Sequence, residues 1–403
     1  MRLQVLILLI AGLLAQPAEA QSRKATERKF QTWLEKTIWP QAKSSGVSRS
    51  VFDRALGHVT LDWSLPGTKA KPFKQAEFGD PARYFTRGQL QSTTSQGTAM
   101  ARKHKSALAR ASKASGVPGH ILLGIWGRES GFGKVSIKSD VFRVLATHGF
   151  MGRMPQNAQK ELLAALRVAQ SGKAKLAAMK SNWAGAMGQP QFLPSSFEKF
   201  AKDGDGDGQA DIWRSEADSL ASIGEYLKRH GWNGKRDWGF EVRLPKTMSC
   251  TLEGPDQMRP IRDWVDMGVV RVSGRPFPKA ELAQKGSLLL PAGRDGPAFI
   301  VTPNFYVLKE YNESDLYALF VGHVGDRIAY GSSGFIGKWP GVDKIKRSDI
   351  AKMQKRLEAK GHDVGGADGL VGFKTRRSIG RWQEANGLRG TCWPDRGVVK
   401  KVR

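Results

Sequence analysis

The chain has 403 residues, and 40% of them are hydrophobic, which excludes wholesale disorder and allows two or three domains with cores of their own. Lys and Arg number 64 against 37 Asp and Glu, so the formal charge of +27 predicts attraction to nucleic acid, anionic lipid or an acidic cell-wall polymer. Two cysteines exclude a disulfide-rich scaffold and a cysteine-based zinc cluster.

Residues 1–20 have the pattern of a secretory signal peptide. Met1-Arg2 is a short positive start, residues 3–15 form an apolar run, and Ala18 and Ala20 supply the small residues of a cleavage signature. The run is shorter than the about 20 residues that a membrane-spanning helix needs, so an uncleaved anchor is the weaker alternative. We therefore expect an exported, periplasmic protein, soluble after cleavage behind Ala20. Export disfavours nucleic acid as the partner of the positive charge.

Helical periodicity dominates much of the remaining chain. Residues 28–56 predict amphipathic helices, and a mainly helical pattern with Gly-rich interruptions extends from about residue 96 to 227. Between about residues 238 and 307 the short apolar runs FEVRL, GSLLL and AFIVT, separated by Pro and Gly, predict small strands. The fold class is therefore mainly α with a small β region.

The end of the chain reads as a separate small unit. Gly and Ser at 331–334, followed by Pro340-Gly341, indicate an interdomain linker, which we place at residues 336–345. Residues 346–403 are short and strongly basic, which suits a binding module better than a catalytic domain. Its two helical apolar stripes are Ile350, Met353 and Leu357, and Ile379 and Trp382.

The segment VPGHILLGIWGRESGFG carries the clearest chemical signal. Ile121, Ile125 and Glu129 are spaced four residues apart and therefore share one face of a helix. A carboxylate on an apolar face should have a raised pKa, and an acid that stays protonated near neutral pH suits general acid catalysis. The alternative is a glutamate at a helix end that is solvated or paired with Arg128.

Three blocks in this order, GIWGRESGFG, ATHGF and NWAGAMGQPQFLPSSF, resemble the B-type lytic murein transglycosylases of glycoside hydrolase family 103. QAEF at 75–78 and NFYVLKEYN at 304–312 match as well, so the resemblance covers most of residues 28–330. It implies a lysozyme-like helical catalytic domain, over residues 21–335, with Glu129 as its single catalytic acid and base. It also implies non-hydrolytic cleavage of the β-1,4 bond between N-acetylmuramic acid and N-acetylglucosamine in peptidoglycan, forming 1,6-anhydro ends.

The resemblance places four substrate-binding residues, Asn182, Gln191, Tyr226 and Tyr311. Taken without it, Gln191 also fits a cap of the turn before Pro194, and both tyrosines fit ordinary packing. The family often has Ser at the position of Asn182. Asparagine can still bond a substrate amide, but its larger side chain leaves the detail of that subsite open.

The run DGDGDGQAD has the spacing of an EF-hand calcium loop. Asp203, Asp205 and Asp207 occupy positions 1, 3 and 5, Gly208 stands at the sharp bend, and Gln209 supplies a backbone carbonyl at position 7. Alternating carboxylates in a Gly-rich turn converge their oxygens on one hard cation. We therefore expect one structural Ca²⁺ and no organic cofactor.

The loop lacks the usual closing glutamate, since position 12 is Arg214. In some members of the resembled family a later acid closes the loop, and Asp218 fits that role best, with Glu216 second. The alternative for Asp218 is a capping box with Ser215 at the start of the next helix.

Residues 346–390 resemble the small three-helix peptidoglycan-binding module, with Asp368-Gly369 and GFKT at 372–375 carrying the match. Such a module would tether the enzyme to its substrate, and its Lys and Arg would meet the carboxylates of stem peptides. A solvated basic face is the alternative. Cys250 and Cys392 lie in different predicted domains, and the sequence leaves open whether they pair.

Peptidoglycan glycan strands are thus the expected partner, and other cell-wall enzymes are further candidates. Neither nucleic acid nor a membrane span is expected. Two other functions stay open on the sequence. A hydrolytic muramidase would need a second carboxylate about 5–9 Å from Glu129. A non-catalytic wall-binding protein would need neither acid.

Overall fold

The computed structural model describes residues 21–66, 80–332 and 334–402. The predicted signal peptide and the QAEF block at 75–78 lie outside the described residues. The chain divides into two compact units. The described residues of the first are 21–66 and 133–222, and those of the second are 80–132, 223–332 and 334–402. In the described ranges no helix is long and apolar enough to cross a bilayer.

Helices dominate the described chain, as predicted. In chain order they are α1 (21–44, with a π-helical segment at Leu34–Ile38), α2 (Arg49–Leu56), α3 (Arg87–Lys103), α4 (Lys105–Ser115), α5 (Gly119–Ser130), α6 (Val141–Met151), α7 (Pro155–Gln170), α8 (Pro194–Phe200), α9 (Glu216–Arg229), α10 (Ile261–Asp266), α11 (Pro303–Tyr311), α12 (Asp315–Tyr330), α13 (Arg347–Ala359), α14 (Phe373–Ala385) and α15 (Arg396–Lys401). The strands are β1 (Ser139–Asp140), β2 (Lys180–Ser181), β3 (Gly239–Arg243), β4 (Arg259–Pro260), β5 (Val270–Arg271), β6 (Lys285–Leu289) and β7 (Ala298–Val301). Short 3-10 turns cover Pro81–Phe85, Leu176–Ala178, Cys250–Leu252, Pro255–Gln257 and Lys279–Glu281.

The first unit is helical apart from the antiparallel pair β1–β2. Helix α1 buries Phe30, Leu34 and Ile38, which confirms the amphipathic pattern predicted for this segment. The Phe30 ring meets the ring of Phe150 on α6 edge to face at 5.4 Å, an arrangement that aromatic quadrupoles favour. The Asp140 side chain accepts a hydrogen bond from the Arg143 amide and so caps the start of α6.

The second unit contains a five-stranded sheet in the order β4-β6-β7-β3-β5, with antiparallel neighbours. The runs FEVRL, GSLLL and AFIVT form β3, β6 and β7, so the predicted strands are confirmed. Ile300 on β7 lies opposite Phe240 on one side and Leu288 on the other, and all three side chains are buried. These apolar cross-strand neighbours hold the small β region together.

The C-terminal module belongs to the second unit and consists of α13, α14 and α15. Both of its predicted apolar stripes are buried in one core. A disulfide joins Cys250 of the β region to Cys392 of the module. A Cβ atom at Gly380, in the middle of α14, would lie 2.3 Å from the Cys392 sulfur, which explains a glycine inside a helix.

Residues 334–346, which include the predicted linker, have neither helix nor strand. They are nevertheless packed onto the rest of the unit. The amides of Ile336 and Gly337 donate to the Glu241 carboxylate at 3.1 and 2.7 Å. The Trp339 ring stacks on Phe85 at 4.9 Å. In the structure, this segment therefore lies against the second unit instead of standing apart from it.

Candidate active site

The end of helix α5 is shaped by two residues with left-handed backbones. Gly131 has φ 57° and ends the helix, and Phe132 follows with φ 61°. The chain then turns back so that the Phe132 ring lies against Gly127, where a Cβ would come within 2.6 Å of the ring. This turn leaves Glu129 in the last turn of α5.

Glu129 lies on the apolar side of α5, because Ile121 and Ile125 are both buried. The residue as a whole is half-buried, and its carboxyl group is densely surrounded by protein atoms. The hydroxyl of Tyr317 donates a hydrogen bond to Glu129 Oε1 at 2.5 Å. Burial raises the pKa of Glu129 to about 7, while the Tyr317 hydrogen bond and the Arg128 charge oppose the rise. A carboxylate at a helix C-terminus is further disfavoured by the helix dipole.

The guanidinium of Arg128 contacts two aromatic side chains instead of forming a salt bridge with Glu129. Its Nη2 donates to the Tyr84 hydroxyl at 2.6 Å, and its guanidinium lies 4.4 Å from the Tyr84 ring centre and 5.2 Å from that of Phe320. Stacking on two rings fixes the guanidinium. The alternative in which Glu129 pairs with Arg128 is therefore not what the described residues show, and Glu129 can hold a proton near pH 7.

Three tyrosines, Tyr317, Tyr311 and Tyr226, lie one after another next to Glu129. The Tyr311 ring is nearly parallel to Tyr317, with centroids 6.4 Å apart, and lies 4.8 Å from the Tyr226 ring. Burial raises the pKa of Tyr311 well above its usual value, and the Glu129 charge adds to this. The Tyr226 hydroxyl donates to the Glu310 carbonyl at 2.6 Å. Phenols that stay neutral can bind sugar hydroxyls beside the carboxyl group.

Asn182 and Gln191 lie together in the first unit. Asn182 Nδ2 donates to Gln191 Oε1 at 2.8 Å, and Gln191 Nε2 donates to the Gly188 carbonyl at 2.8 Å. Gln191 has φ 55°, unusual for a residue with a side chain. Its amide thus stabilises the turn that begins at Gly188, in place of a cap before Pro194. Each amide group retains further hydrogen-bonding capacity for a ligand.

The structure groups the predicted site residues by unit. Glu129, Tyr226 and Tyr311 come together in the second unit, and Asn182 and Gln191 in the first. Tyr317, which contacts the Glu129 carboxyl directly, was missed by sequence reasoning. The available signal was one hydroxyl-bearing side chain in the otherwise apolar run LYALFVG of α12.

The predicted calcium loop brings three carboxylates together. Ligand oxygens of Asp203, Asp205 and Asp218 all lie within 4.8 Å of one another. Asp203 also accepts hydrogen bonds from the amides of Gly206 and Gly208, which set the bend of the loop and hold the pKa of Asp203 below its usual value. This convergence of hard oxygen donors fits a calcium ion.

Asp207, another predicted ligand, is not part of this group of three carboxylates. Its carboxylate accepts a hydrogen bond from the amide of Gln209 at 2.8 Å. Asp218 closes the cluster, and its carboxylate accepts from the amides of Gly204 and Asp211. The capping alternative holds as well, because the Asp218 amide donates to Ser215 Oγ at 3.2 Å.

Comparison with known proteins decides the family. The family described as "Transglycosylase SLT domain" matches residues 29–326, and the family described as "Putative peptidoglycan binding domain" matches residues 346–401. The chain belongs to the lytic transglycosylases. It is 30% identical over 275 residues to membrane-bound lytic murein transglycosylase B of Escherichia coli, covering 67% of this chain and 73% of that protein.

Solved structures of related enzymes share the fold of this lytic transglycosylase. SltB3 of Pseudomonas aeruginosa, crystallised with NAG-NAM-pentapeptide and separately with NAG-anhNAM-pentapeptide, is similar with a TM-score of 0.84 in both cases. The identities are 37% and 36%, and both comparisons cover 93% of this chain and 99% of that one. Slt35 of Escherichia coli in complex with calcium has a TM-score of 0.54 at 26% identity, over 76% of this chain and 93% of that one. The lysozyme-like fold and the wall-binding module that the sequence predicted are confirmed.

Proposed function

We propose that this lytic transglycosylase cleaves the β-1,4 bond between N-acetylmuramic acid and N-acetylglucosamine of peptidoglycan without water, using Glu129 first as acid and then as base. The observation that carries the proposal is a carboxyl group whose pKa is raised to about 7, held by Tyr317 at the end of a buried helix. Such a group is protonated often enough near neutral pH to act as an acid, and its anion is basic enough to take the proton back.

The chemistry needs one carboxyl group. Protonated Glu129 donates its proton to the glycosidic oxygen as the bond to C1 breaks, and the 2-acetamido group of the substrate stabilises the positive charge at C1. The Glu129 carboxylate then removes the proton of the C6 hydroxyl, and O6 bonds to C1 to close the 1,6-anhydro ring. Glu129 ends protonated again, so protons balance and no water is consumed.

The contacts of Glu129 favour this route over hydrolysis. Within the part of the chain that the structure describes, the groups that act on the ionisation of Glu129 are the Tyr317 phenol and the Arg128 guanidinium, whereas a muramidase pairs its acid with a second carboxylate. The anhydro ligand bound to SltB3 supports the same product here. Mass spectrometry of digested peptidoglycan tests the proposal, because anhydro ends are lighter than reducing ends by one water. Reducing ends of full mass would make the enzyme a muramidase.

We further propose that Asn182, Gln191, Tyr226 and Tyr311 bind the sugars, as the family resemblance implies. Their amides and phenols both donate and accept hydrogen bonds, which suits hydroxyl and N-acetyl groups. Export to the periplasm, directed by residues 1–20, would bring the enzyme to its wall substrate and into a compartment where the Cys250–Cys392 disulfide persists. Other cell-wall enzymes stay candidate partners.

The pH dependence follows from the pKa of Glu129. Because the protonated carboxyl group starts the reaction, kcat/KM should fall as the pH rises through about 7. The Tyr317 hydrogen bond stabilises the carboxylate, so Tyr317→Phe should move this decline up by about one pH unit while lowering the rate. Tyr330→Phe, at an exposed position of the same helix, should leave the profile in place. A profile that declines at the same pH in the Tyr317→Phe variant would contradict the assignment.

We propose that Asp203, Asp205, Asp207, Asp218 and the Gln209 carbonyl hold one structural calcium ion. An ion that binds only the folded protein stabilises it, by about 2–3 kcal/mol at a hundredfold excess over the dissociation constant. We therefore expect Ca²⁺ to raise the melting temperature and a chelator to reverse the rise. Bound calcium would supply a positive charge between the loop carboxylates and Asp218 of α9, and would so hold the loop against that helix.

The control for calcium is a carboxylate of the first unit that lies outside the loop. Glu198 is not part of the carboxylate cluster and accepts two hydrogen bonds from the Arg167 guanidinium, both at 2.8 Å. Asp203→Asn should abolish the response of the melting temperature to Ca²⁺. Glu198→Gln should lower the melting temperature, because it breaks the pair with Arg167, but keep the response. An equal response in all three proteins would show that calcium binds elsewhere.

A further inference from the structure

A buried arginine of the module, Arg376, contacts the catalytic part of the second unit. Arg376 on α14 donates to both carboxylate oxygens of Glu253, at 2.7 and 3.0 Å. Both side chains are buried, and the Glu253 carboxylate is fully excluded from solvent. A buried carboxylate is tolerated in its charged form only when a cation and hydrogen bonds satisfy it. Here the Leu290 amide supplies one hydrogen bond and the module supplies the cation.

The same guanidinium continues to the start of helix α12. Arg376 Nη2 lies 3.1 Å from Asp315 Oδ2, and Asp315 is the first residue of that helix. The other oxygen of Asp315 accepts from Lys309 Nζ on α11 at 2.6 Å. Arg376 thus takes part in an ionic cluster, Glu253–Arg376–Asp315–Lys309, that fixes the turn between α11 and α12.

This turn separates the two tyrosines beside the proposed acid. Helix α11 ends at Tyr311, and α12 carries Tyr317 two residues after Asp315. The two rings stack, and Tyr317 donates to the Glu129 carboxyl at 2.5 Å. Asp315 and Tyr317 are two residues apart on α12, which is less than one helical turn. A displacement of Asp315 therefore also displaces the Tyr317 hydroxyl.

We infer that Arg376 of the wall-binding module is a positioning residue for catalysis: by bridging Glu253 and Asp315, it sets where Tyr317 meets Glu129. The module then has a second role besides holding the enzyme on the wall, since it completes the support of the active site. This inference rests on the proposed role of Glu129 as acid and base.

Arg377 offers a matched control on the same helix. It also joins the module to the β region, but it binds the half-exposed Asp256 carboxylate at 2.8 Å and the Glu253 backbone carbonyl at 3.3 Å. Replacing Arg377 weakens the attachment of the module without removing the partner of the Glu253 and Asp315 carboxylates. A general loosening of the module would therefore affect both variants alike.

The experiment measures kcat, KM and the pH profile on a short soluble peptidoglycan fragment, with binding to insoluble peptidoglycan measured in parallel. We expect Arg376→Gln to lower kcat by about tenfold or more, because small misplacements of catalytic groups have large effects. The pH at which kcat/KM declines should be higher in this variant than in wild type, as in Tyr317→Phe. Arg377→Gln should stay within about twofold of wild type, the usual range for a half-exposed ion pair.

A double variant separates positioning from loss of wall binding. If Arg376 acts through Tyr317, then Arg376→Gln should cause no further shift of the pH profile in a Tyr317→Phe background. Among the described residues of this unit, the titratable and charged groups that interact with Glu129 are Arg128 on its own helix, Tyr317 on α12 and Tyr311 on α11. Arg376 contacts Asp315 at the start of α12, so its effect on Glu129 would pass through that helix. Additive shifts, or reduced wall binding with unchanged kcat, would overturn the inference.

Folding defects are controlled with Glu253→Gln/Arg376→Gln, which removes the unpaired buried charge that the single variant leaves. We expect this protein to melt at a higher temperature than Arg376→Gln but to keep its low kcat, because Asp315 still lacks its bridge. Full recovery of kcat would show that Arg376 serves merely to neutralise Glu253. An active Glu129→Gln variant would contradict the proposed function itself. If Glu129→Gln is inactive and Arg376→Gln behaves like Arg377→Gln, only the positioning role of Arg376 is contradicted.

Discussion

Glu129→Gln should abolish the formation of anhydro ends, lowering the rate by on the order of 10³-fold or more, because one carboxyl group performs both proton transfers. The amide keeps the shape of the side chain and can still accept the Tyr317 hydrogen bond, but it can neither donate a proton to the leaving oxygen nor remove one from the C6 hydroxyl. Mass spectrometry of peptidoglycan incubated with each protein measures the effect.

The control for this variant is Glu313→Gln, an exposed carboxylate in the turn between α11 and α12. It should keep wild-type activity, and both variants should bind insoluble peptidoglycan as wild type does. Undiminished cleavage by Glu129→Gln would remove the residue from the mechanism and require another acid. Products with reducing ends from wild type would keep Glu129 as acid but replace ring closure by hydrolysis.

The same variant should also change stability, with a sign fixed by the pKa. The folded protein raises the pKa of Glu129 from 4.5 to about 7, so the protonated form is the one that folding favours. That contribution is fully present below pH 4.5 and is lost as the pH rises through about 7. At pH 8, Glu129→Gln should therefore be more stable than wild type by roughly 3 kcal/mol and should unfold at a higher temperature. At pH 4 the two proteins should unfold at the same temperature. The proposed acid is thus a group whose charged form the fold disfavours at neutral pH.

Removing the disulfide is the second change with a large expected effect. Cys250 and Cys392 are 142 residues apart in sequence, and both are buried where the module meets the β region. Cross-links that close long loops restrict the unfolded chain strongly, so Cys250→Ala/Cys392→Ala should lower the free energy of unfolding by about 2–5 kcal/mol. Urea unfolding followed by circular dichroism measures this difference.

A thiol reductant supplies the control, because it breaks the bond without removing the sulfur atoms. Reduced wild type should approach the stability of the double alanine variant, and the variant itself should not respond to the reductant. The contrary result is a variant that loses as much stability while reduction leaves the stability of wild type unchanged. The loss would then come from missing packing beside Gly380 instead of from the missing cross-link.

Much of the architecture could be predicted from the sequence, because the signals are local and periodic. The spacing of Ile121, Ile125 and Glu129 placed a carboxyl group on the apolar face of a helix, and the structure buries that face. Alternating aspartates in a Gly-rich turn predicted the loop in which Asp203 and Asp205 converge. The stripes of the module predicted its core in the same way, since each depends on residues within a few turns of one another.

The tertiary structure alone decided how these pieces act together. Tyr317 contacts Glu129 across 188 residues of sequence, and Arg376 contacts Glu253 across 123. No periodicity relates such residues, because their distance depends on how whole helices and strands pack. Pairing of the two cysteines is equally a matter of geometry. The sequence by itself therefore predicted the carboxyl group on the apolar face, the aspartate-rich loop and the module, whereas packing decided which side chains surround Glu129 and how the module is attached to the β region.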